Sequence, residues 1–264
     1  MKQKILQKIP TECPWRDTLY WYDTIDSTNT QAKLLAQQGA PHGTVLIAGE
    51  QTGGRGRLGR TFESCAGMGV YLSVILRPNC AAEALMHLTC AAGAAMCEAV
   101  ENVSGIRPGI KWINDLVVKK KKLGGILTEL SVNPKTGLVD YAVVGVGINC
   151  LQKEFSGELE NIATSLSLAT GNPIPPDVLA AAMVEALYNM NDRLFNEKTA
   201  IMCAYRRLCV TLGQEILIHR YNSVTPGKAL DVDDDGALIV LLADGTKTTV
   251  NSGEVSVRGM YGYL

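Results

Sequence analysis

The segment from Gly53 to Arg60 concentrates groups that bind anions. It holds four glycines and three arginines in eight residues. Glycines let backbone N–H groups approach a ligand closely, and arginine guanidinium groups match the oxygens of phosphates and carboxylates. The segment therefore suits an anionic ligand, although the same composition also fits a basic loop that only contacts solvent.

Gly54 to Gly59 also fits the G-x-G-x-x-G pattern of dinucleotide-binding folds. That pattern requires a helix directly after the glycines and an acidic residue about 20 positions further on. Here the loop leads into the apolar run YLSVIL, and Arg77-Pro78-Asn79 stands where the acid belongs. The context therefore excludes a dinucleotide fold, and the lack of a G-x-x-x-x-G-K-[ST] pattern excludes a P-loop.

A second group of polar side chains, KWIND at 111–115, lies between apolar stretches. Its lysine, at the start of a predicted strand, can neutralise an anion, while Asn114 and Asp115 offer oxygen atoms to a divalent metal. Asn-Asp is also an ordinary turn sequence. The lysine run at 119–122 is predicted to be a solvated turn.

These polar segments connect elements that alternate between strand and helix. Asp26, Ser27 or Thr28 can each cap a helix that ends at Gly39. A helix is also predicted over Glu83 to Asn102, and strands over Tyr20–Ile25, Thr44–Ala48, Val70–Leu76, Ile126–Leu130 and Tyr141–Ile148. Single helices between strands joined by tight turns predict an α+β domain with a mixed sheet.

The pattern changes in the second half of the chain. Two amphipathic helices are predicted from Asp177 to about Leu212, followed by short alternating strands around Asp235-Gly236 and Asp244-Gly245. Asp-Gly between alternating runs is a strong hairpin signal. The sequence thus predicts a larger domain over residues 1–212 and a small all-β, barrel-like domain over 213–264.

Composition limits the class of protein. The 264 residues carry a formal net charge of -1, which argues against a duplex-DNA clamp or a membrane-surface protein. The eight cysteines show no zinc-ligand spacing, and we found no signal peptide or apolar span of about 20 residues. These features predict a cytoplasmic protein with reduced, mostly buried thiols.

Six motifs together resemble the biotin protein ligase family, which shares a superfamily with lipoate-protein ligases. They are DSTN at 26–29, EQTGGRGRLGR at 50–60, KWIND at 111–115, KKLGGILTE at 121–129, GVGIN at 145–149 and SGEVSVR at 252–258. The resemblance covers nearly the whole chain. It implies a catalytic domain built on a mixed sheet with helices, followed by an SH3-like barrel.

The resemblance also implies a two-step reaction. Biotin and MgATP form biotinyl-5′-adenylate, and a lysine of a biotin carboxyl carrier domain then attacks it. ATP and Mg²⁺ are expected as substrate and activator, without a permanently bound cofactor. Two alternatives stay open, namely a lipoate- or octanoate-protein ligase relative and a non-catalytic sensor of biotin or its adenylate.

Carried over residue by residue, the resemblance places biotin and ATP on neighbouring groups. The biotin ureido ring is expected at Ser27, Thr28 and Gln51, with Asn29 in the same wall. The biotin-binding set continues through Gly54, Arg55, Gly56, Arg57, Lys111, Gly124 and Gly125. The ATP set comprises Arg57, Arg60, Lys111, Trp112, Asn114, Asp115 and Asn149, and Asp115 is also the expected Mg²⁺ ligand. Lys111 is the principal catalytic candidate, together with Arg55 and Arg57.

The chain departs from the family pattern at three points. Ile113 stands where the family often has proline, and Leu58 stands where it often has a basic residue. Only 25 residues precede Asp26, too few for the winged-helix DNA-binding domain of some members, so no nucleic-acid partner is expected. Family members dimerise through a sheet edge, and Tyr141–Ile148 is the candidate edge for a homodimer.

Overall fold

The computed structural model describes residues 1–220 and 223–251, and the backbone of 255–259. The helices are α1 Lys2–Leu6, α2 Thr28–Gln37, α3 Leu88–Ser104, α4 Leu166–Thr170, α5 Pro176–Arg193 and α6 Lys198–Leu208. The first seven strands are β1 Leu19–Tyr22, β2 Thr44–Ala48, β3 Gly69–Leu76, β4 Gly109–Lys111, β5 Asp115–Val118, β6 Lys121–Val132 and β7 Val139–Asn149. The last five are β8 Glu215–Arg220, β9 Ser223–Val232, β10 Leu238–Leu242, β11 Lys247–Val250 and β12 Val255–Gly259.

The first seven strands form one mixed sheet in the order β1-β2-β3-β7-β6-β5-β4. Strands β1 and β2 are parallel, and every other neighbouring pair is antiparallel. This confirms the predicted fold class. The prediction that Tyr141–Ile148 forms a sheet edge was wrong, because this part of β7 pairs with β3 on one side and β6 on the other.

Helix α2 covers one face of this sheet. Its N-cap is Ser27, whose Oγ accepts the backbone N–H of Thr30 at 3.4 Å. Ala32 and Ala36 then pack on a small apolar cluster formed by Leu46, Ile75, Tyr141 and Val143. Because these partners come from three adjacent strands, the start of α2 is held in a fixed position over the sheet.

The opposite face carries the main core, with α3, α5 and α6 among its elements. The helix predicted over 83–102 starts later than expected, because residues 82–85 form a 3₁₀ turn and α3 begins only after His87. The buried His87 ring donates from Nε2 to the Leu194 carbonyl at 3.0 Å. The helix also ends two residues later than predicted, at Ser104, and Gly105 caps it in the left-handed conformation with φ 71°.

Strands β8 to β12 form a separate antiparallel sheet in the order β11-β10-β9-β8-β12. Gly236 and Gly245 have φ of 87° and 84°, as the predicted Asp-Gly turns require. The second sheet is the predicted SH3-like β-domain. Of the SGEVSVR motif, Ser252 to Glu254 lie outside the described residues.

Two further predictions concern thiols and membranes. All eight cysteines lie in the described parts of the chain, none forms a disulfide, and five are buried. No helix within 1–220 or 223–251 is both long enough and apolar enough to cross a lipid bilayer.

Candidate active site

A cavity of about 120 Å³ lies on the α2 face of the seven-stranded sheet. Its walls come from the start of α2, the loop at 51–62, the β4–β5 turn, and strands β5, β6 and β7. The predicted site residues that line it are Ser27, Thr28, Asn29, Gln51, Arg55, Gly56, Arg57, Arg60, Asn114, Asp115 and Gly125. These residues come from four of the six motifs, and Gly145, Val146 and Gly147 of a fifth motif, GVGIN, line the cavity as well.

One end of the cavity is polar and lacks a net charge. The Gln51 amide oxygen accepts the backbone N–H of Thr28 at 2.8 Å and the Thr28 hydroxyl at 3.0 Å. The Gln51 amide nitrogen donates to Ser64 Oγ at 3.1 Å. These hydrogen bonds join the start of α2 to both ends of the arginine-rich loop, so the polar wall is held together by contacts within the protein.

Asn29 belongs to the same wall and sits above the middle of the sheet. Its Oδ1 lies 2.7 Å from Ser73 Oγ, and its Nδ2 donates to the Leu127 carbonyl at 3.2 Å. A Cβ atom at Gly145 would overlap the Asn29 side chain. Glycine at this position of β7 therefore leaves the space that the asparagine occupies.

The loop folds back on itself as a short hairpin. The Gly56 N–H donates to the Arg60 carbonyl at 2.7 Å, and the Phe62 N–H donates to the Gly54 carbonyl at 2.9 Å. Leu58 at its tip has φ 55°. A Cβ atom at Gly54 would overlap the Phe62 carbonyl, so this glycine permits the hairpin rather than lining the cavity.

Phe62 closes the cavity over β7. Its ring occupies the space above Gly147, where a Cβ atom would lie 2.8 Å from the ring, and it meets Tyr71 edge-on at 6.3 Å between centroids. The ring, together with Leu127, gives the middle of the cavity an apolar surface.

The other end of the cavity is cationic. Arg57 Nη1 donates a hydrogen bond to Asn114 Oδ1 at 3.2 Å. Asn114 Nδ2 in turn donates a hydrogen bond to the Ile126 carbonyl at 2.8 Å, which holds the side chain in place. Burial lowers the pKa of Arg57, while the nearby charge of Asp115 raises it. The guanidinium keeps its charge because its ordinary pKa is so high.

Lys122 is the fourth cation of this cavity, beside Arg55, Arg57 and Arg60. Its Nζ lies 2.7 Å from Asp115 Oδ1. The pairing of β5 with β6 shifts register at Leu123, which is fully buried, and this bulge turns Lys122 to the same face as Gly125. A Cβ atom at Gly125 would lie 3.4 Å from Asp115 Oδ1 and 3.6 Å from the Lys122 nitrogen, so glycine leaves room for this pair.

Five predicted site residues lie outside the cavity lining, namely Gly54, Lys111, Trp112, Gly124 and Asn149. Lys111 ends β4 instead of starting a strand, and it is 9% exposed. Trp112 follows it, joined to Ile113 by a cis peptide bond, and its Nε1 donates to the Gly236 carbonyl of the second sheet at 2.9 Å. Asn149 donates from Nδ2 to the Thr164 carbonyl at 3.1 Å.

Several residues that line the cavity were not predicted from the sequence. The prediction of a solvated turn over 119–122 was wrong for Lys122, which faces the site. Phe62, Leu127, Gly145 and Gly147 also went unassigned. Gly145 and Gly147 of β7 could have been predicted, because side chains alternate between the two faces of a strand and residues two apart therefore share a face.

The residues of the cavity offer one carboxylate to a metal. Among the described residues there is no cluster of three or more His, Cys, Asp or Glu side chains that could hold an ion. Asp115 is the carboxylate in the lining, with Asn114 beside it. Such a donor pair suits a cation that arrives with phosphate oxygens and water rather than a metal held by the protein alone.

Comparisons with known proteins agree with this geometry. Residues 21–149 match the model of the "Biotin/lipoate A/B protein ligase family", and residues 211–258 match the "Biotin protein ligase C terminal domain". The bifunctional ligase/repressor BirA of Bacillus subtilis is 35% identical over 232 residues, covering 87% of this chain and 71% of that protein. The biotin–[acetyl-CoA-carboxylase] ligase of Mycobacterium tuberculosis is 32% identical over 236 residues, covering 87% and 85%.

A solved structure of a biotin protein ligase has the same fold as this chain. The biotin protein ligase from Aquifex aeolicus, determined in complex with biotin and ATP, superposes with a TM-score of 0.77 and 30% identity. The match covers 92% of this chain and 99% of that one. Sequence identity over most of both chains, together with the shared fold, shows that the chain belongs to the biotin protein ligase family.

Proposed function

We propose that the polar end of the cavity binds the ureido ring of biotin and that the cationic end binds its carboxylate and the phosphates of ATP. The observation that carries this proposal is the division of one cavity into two unlike ends. The neutral end is formed by Ser27, Thr28, Asn29 and Gln51, and the charged end by Arg55, Arg57, Arg60 and Lys122.

The chain is an ATP-dependent biotin–[carboxyl carrier] ligase, as its family membership implies. A carboxylate oxygen of biotin attacks the α-phosphorus of ATP, the bond to the β-phosphate oxygen breaks, and pyrophosphate leaves. The amine of a carrier lysine then attacks the carbonyl carbon of the adenylate. An amide forms, AMP leaves with the electrons of the broken bond, and the amine loses a proton.

We assign the main catalytic charge to Lys122 rather than to Lys111. Negative charge builds between the carboxylate and the α-phosphate, and a fixed cation there stabilises the transition state. Lys122 lines the cavity and is held by Asp115, whereas Lys111 lies outside the lining. The expected ligand roles of Lys111, Trp112, Gly124 and Asn149 stay predictions.

Arg55, Arg57 and Phe62 protect the intermediate in this proposal. The adenylate is a mixed anhydride, so water must be kept away from it until the carrier lysine arrives. The hairpin of the loop lies over the cavity, with Arg57 bonded to Asn114 across it and Phe62 packed on β7. These contacts position the phosphate-binding groups and reduce access of solvent.

Mg²⁺ fits the charged end as a companion of ATP. Asp115, beside Asn114, would hold it, and Mg²⁺ supplies charge neutralisation for the triphosphate when bound. The remaining ligands would be phosphate oxygens and water, as is usual for this ion. Lys122 pairs with Asp115 within the protein. On nucleotide binding, Lys122 can contact phosphate oxygens while Asp115 contacts Mg²⁺.

A lipoate- or octanoate-protein ligase is the second candidate, because the matched family includes lipoate ligases. A fatty acyl chain or dithiolane would need an apolar groove where biotin presents its ureido ring. The amide and hydroxyl groups of Gln51, Thr28 and Asn29 line that end instead. This polarity favours biotin.

Labelled biotin tests the activity and separates the three candidates. The protein is incubated with MgATP, labelled biotin and a biotin carboxyl carrier domain, and the label is followed into the adenylate and the carrier. Labelled carrier is the expected result. Labelled adenylate without labelled carrier would indicate a sensor. Transfer of lipoate but not of biotin to the carrier would indicate a lipoate-protein ligase. A folded protein that forms neither labelled adenylate nor labelled carrier would overturn the proposal.

Location, domain limits and assembly are further parts of the proposal. The free thiols and the proposed substrates suit the cytoplasm, and we keep 1–212 and 213–264 as the two domains.

For a homodimer, the available edge is not β7 but the second half of β6. No strand among the described residues pairs with residues 127–132 on the side of β5. Leu130 and Val132 on this segment are 42% and 44% exposed.

A further inference from the structure

A carboxylate lies directly behind the polar end of the cavity. Glu129 on β6 follows Gly125 and Leu127 on the same face of the strand, and it pairs with Val143 of β7 in the sheet. Gly125 and Leu127 line the cavity, whereas Glu129 lies one step beyond the lining. It therefore acts on a ligand only through other residues.

Both carboxylate oxygens of Glu129 contact residues of the site or its neighbours. Oε2 accepts the Asn29 amide at 3.0 Å, and Oε1 accepts Lys33 Nζ at 2.7 Å. Arg55 Nη1 lies 3.8 Å from the same Oε1. One side chain thus joins α2, which carries Asn29, to the loop that carries Arg55.

Glu129 shares with the Leu127 carbonyl, 3.2 Å from Asn29 Nδ2, the control of which way the Asn29 amide points. A carboxylate only accepts hydrogen bonds, so it requires the NH₂ group of Asn29 on its side. Oδ1 of Asn29 is then directed to Ser73 Oγ, 2.7 Å away above Gly145. Glu129 thus supports the orientation of a polar group in the cavity wall from outside that wall.

The surroundings of Glu129 keep it ionised. Burial raises the pKa of its carboxyl group, but hydrogen bonds from Lys33 and Asn29 and the charges of Lys33 and Arg55 outweigh this, so its pKa lies below the usual 4.5. The negative charge is thus present throughout the neutral pH range, where it attracts Arg55.

We propose that Glu129 is a positioning residue for biotin binding, which orients Asn29 at the polar end of the cavity and holds Arg55 of the loop over the cavity. This inference rests on the proposed function of the site. It assigns Glu129 no contact with biotin or ATP. Its effect is therefore expected on the affinity for biotin rather than on the rate of bond formation.

Two substitutions separate the charge from the hydrogen bonds. We expect Glu129→Ala to weaken biotin binding about ten-fold, since both the hydrogen bond from the Asn29 side chain and the ion pairs with Lys33 and Arg55 are lost. Glu129→Gln keeps an acceptor and should weaken it only about three-fold. Adenylate formation at saturating biotin and ATP should stay within about two-fold of wild type in both variants. The measurements are calorimetric biotin titration and single-turnover adenylate formation.

A double substitution tests whether Glu129 affects biotin binding through Arg55. If Glu129 acts through Arg55, Glu129→Gln should weaken binding much less when Arg55→Ala is already present. Full additivity of the two changes would overturn the role assigned to the loop. Glu101→Ala provides the matched control, because Glu101 also pairs with an arginine, Arg107, at 2.6 Å but lies on α3. It should leave biotin binding unchanged.

A third measurement needs no ligand. Trypsin cleaves after the arginines of the loop, and we expect the ligand-free Glu129→Ala protein to be cut there several-fold faster than wild type and the Glu101→Ala control. Equal cleavage rates, together with equal biotin affinity, would overturn the inference. If wild type itself forms no adenylate, the proposed function fails, and the cleavage rates still decide whether Glu129 holds the loop.

Discussion

The ion pair between Lys122 and Asp115 places opposite charges 2.7 Å apart inside the cavity. In the absence of a ligand each charge neutralises the other, which lowers the cost of holding four cations near one another. In the proposed function, phosphate oxygens of ATP replace part of the contact of Lys122 with Asp115. The ion pair holds the lysine nitrogen inside the cavity, where the proposal places the charge that develops during adenylate formation.

Replacing each of two lysines tests this residue-level assignment. Lys122→Ala is expected to slow adenylate formation by about 10²-fold or more, because a fixed cation next to the developing charge is lost. Lys111→Ala should affect the rate much less at saturating substrates. Single-turnover formation of labelled adenylate measures both.

The conservative variant Lys122→Arg controls for the loss of the ion pair. It retains a charge for Asp115 and should recover part of the rate, with a folded state as stable as that of wild type. A larger rate loss for Lys111→Ala than for Lys122→Ala would contradict the assignment and restore the prediction made from the sequence.

At the scale of elements, the loop at 50–60 acts as a cover whose contacts were only partly predictable. Its composition predicts an anion-binding segment, and the structure places Arg55, Arg57 and Arg60 in the cavity. The bond of Arg57 to Asn114 depends on the β4–β5 turn, 57 residues further along the chain. Distance along the chain is the reason that composition alone could not predict this contact.

Removal of that contact should affect the adenylate more than its formation. Arg57→Gly loses the bond to Asn114, so we expect labelled adenylate to dissociate about ten-fold faster while its formation slows less. Arg107→Gly is the matched control, since Arg107 pairs with Glu101 of α3 and lies outside the cavity lining. An unchanged dissociation rate for Arg57→Gly would contradict the role of the loop.

The start of α3 makes the stability of the protein depend on pH. Burial lowers the pKa of His87 below its ordinary 6.5, and Lys198 lowers it further, while the Leu194 carbonyl and Asp234 and Asp235 oppose the shift. The folded state therefore binds fewer protons than the unfolded state below about pH 6.5. The contribution of His87 to stability is fully present above that pH and is lost as the pH falls through the folded pKa.

We expect the free energy of unfolding to decrease as the pH falls below about 6.5, by at most about 1.4 kcal/mol per pH unit from this group. Urea unfolding at several pH values measures it. His87→Gln should reduce this slope, although a part will persist because burial also lowers the pKa of His42. An identical slope in wild type and variant would show that His87 does not contribute.

Sequence patterns predicted the elements better than the orientation of single side chains. The caps, glycine stops and Asp-Gly turns are local signals, and the structure confirms Ser27 as a cap and both turns. The side on which Lys122 emerges depends instead on a bulge at Leu123, and that bulge depends on pairing with β5. The family motifs predicted Lys111 as the catalytic lysine, whereas the lysine that lines the cavity is Lys122.

At the scale of the whole molecule, the two sheets are joined close to the site. Trp112, next to the cationic end, bonds to Gly236 in a turn of the second sheet, and a Cβ atom at that glycine would lie 2.9 Å from Cys90 Sγ of α3. Arg206 of α6 pairs with Asp234 of the same turn at 2.5 Å. The β-domain is therefore packed on the elements that hold KWIND, and we expect it to contribute to their stability.

The proposed homodimer through β6 is the prediction for the assembled molecule. Sedimentation velocity over a range of concentrations should show a monomer–dimer equilibrium for wild type. Leu130→Lys adds a charge to the unpaired edge and should shift the equilibrium to monomer, because charged side chains discourage edge-to-edge pairing. Thermal unfolding controls for the fold. A wild-type protein that stays monomeric at every concentration would contradict the proposal.

The bulge at Leu123 has a consequence for the length of the β5–β6 turn. Residues 119–122 are all lysines, so deletion of any one of them produces the same sequence, with a lysine still directly before Leu123. The turn itself consists of Lys119 and Lys120, whose φ angles are 49° and 65°, between the paired residues Val118 and Lys121. A two-residue turn cannot lose a residue and keep this pairing, so the length of the lysine run fixes the alignment of Lys122 with β5, whichever lysine is deleted.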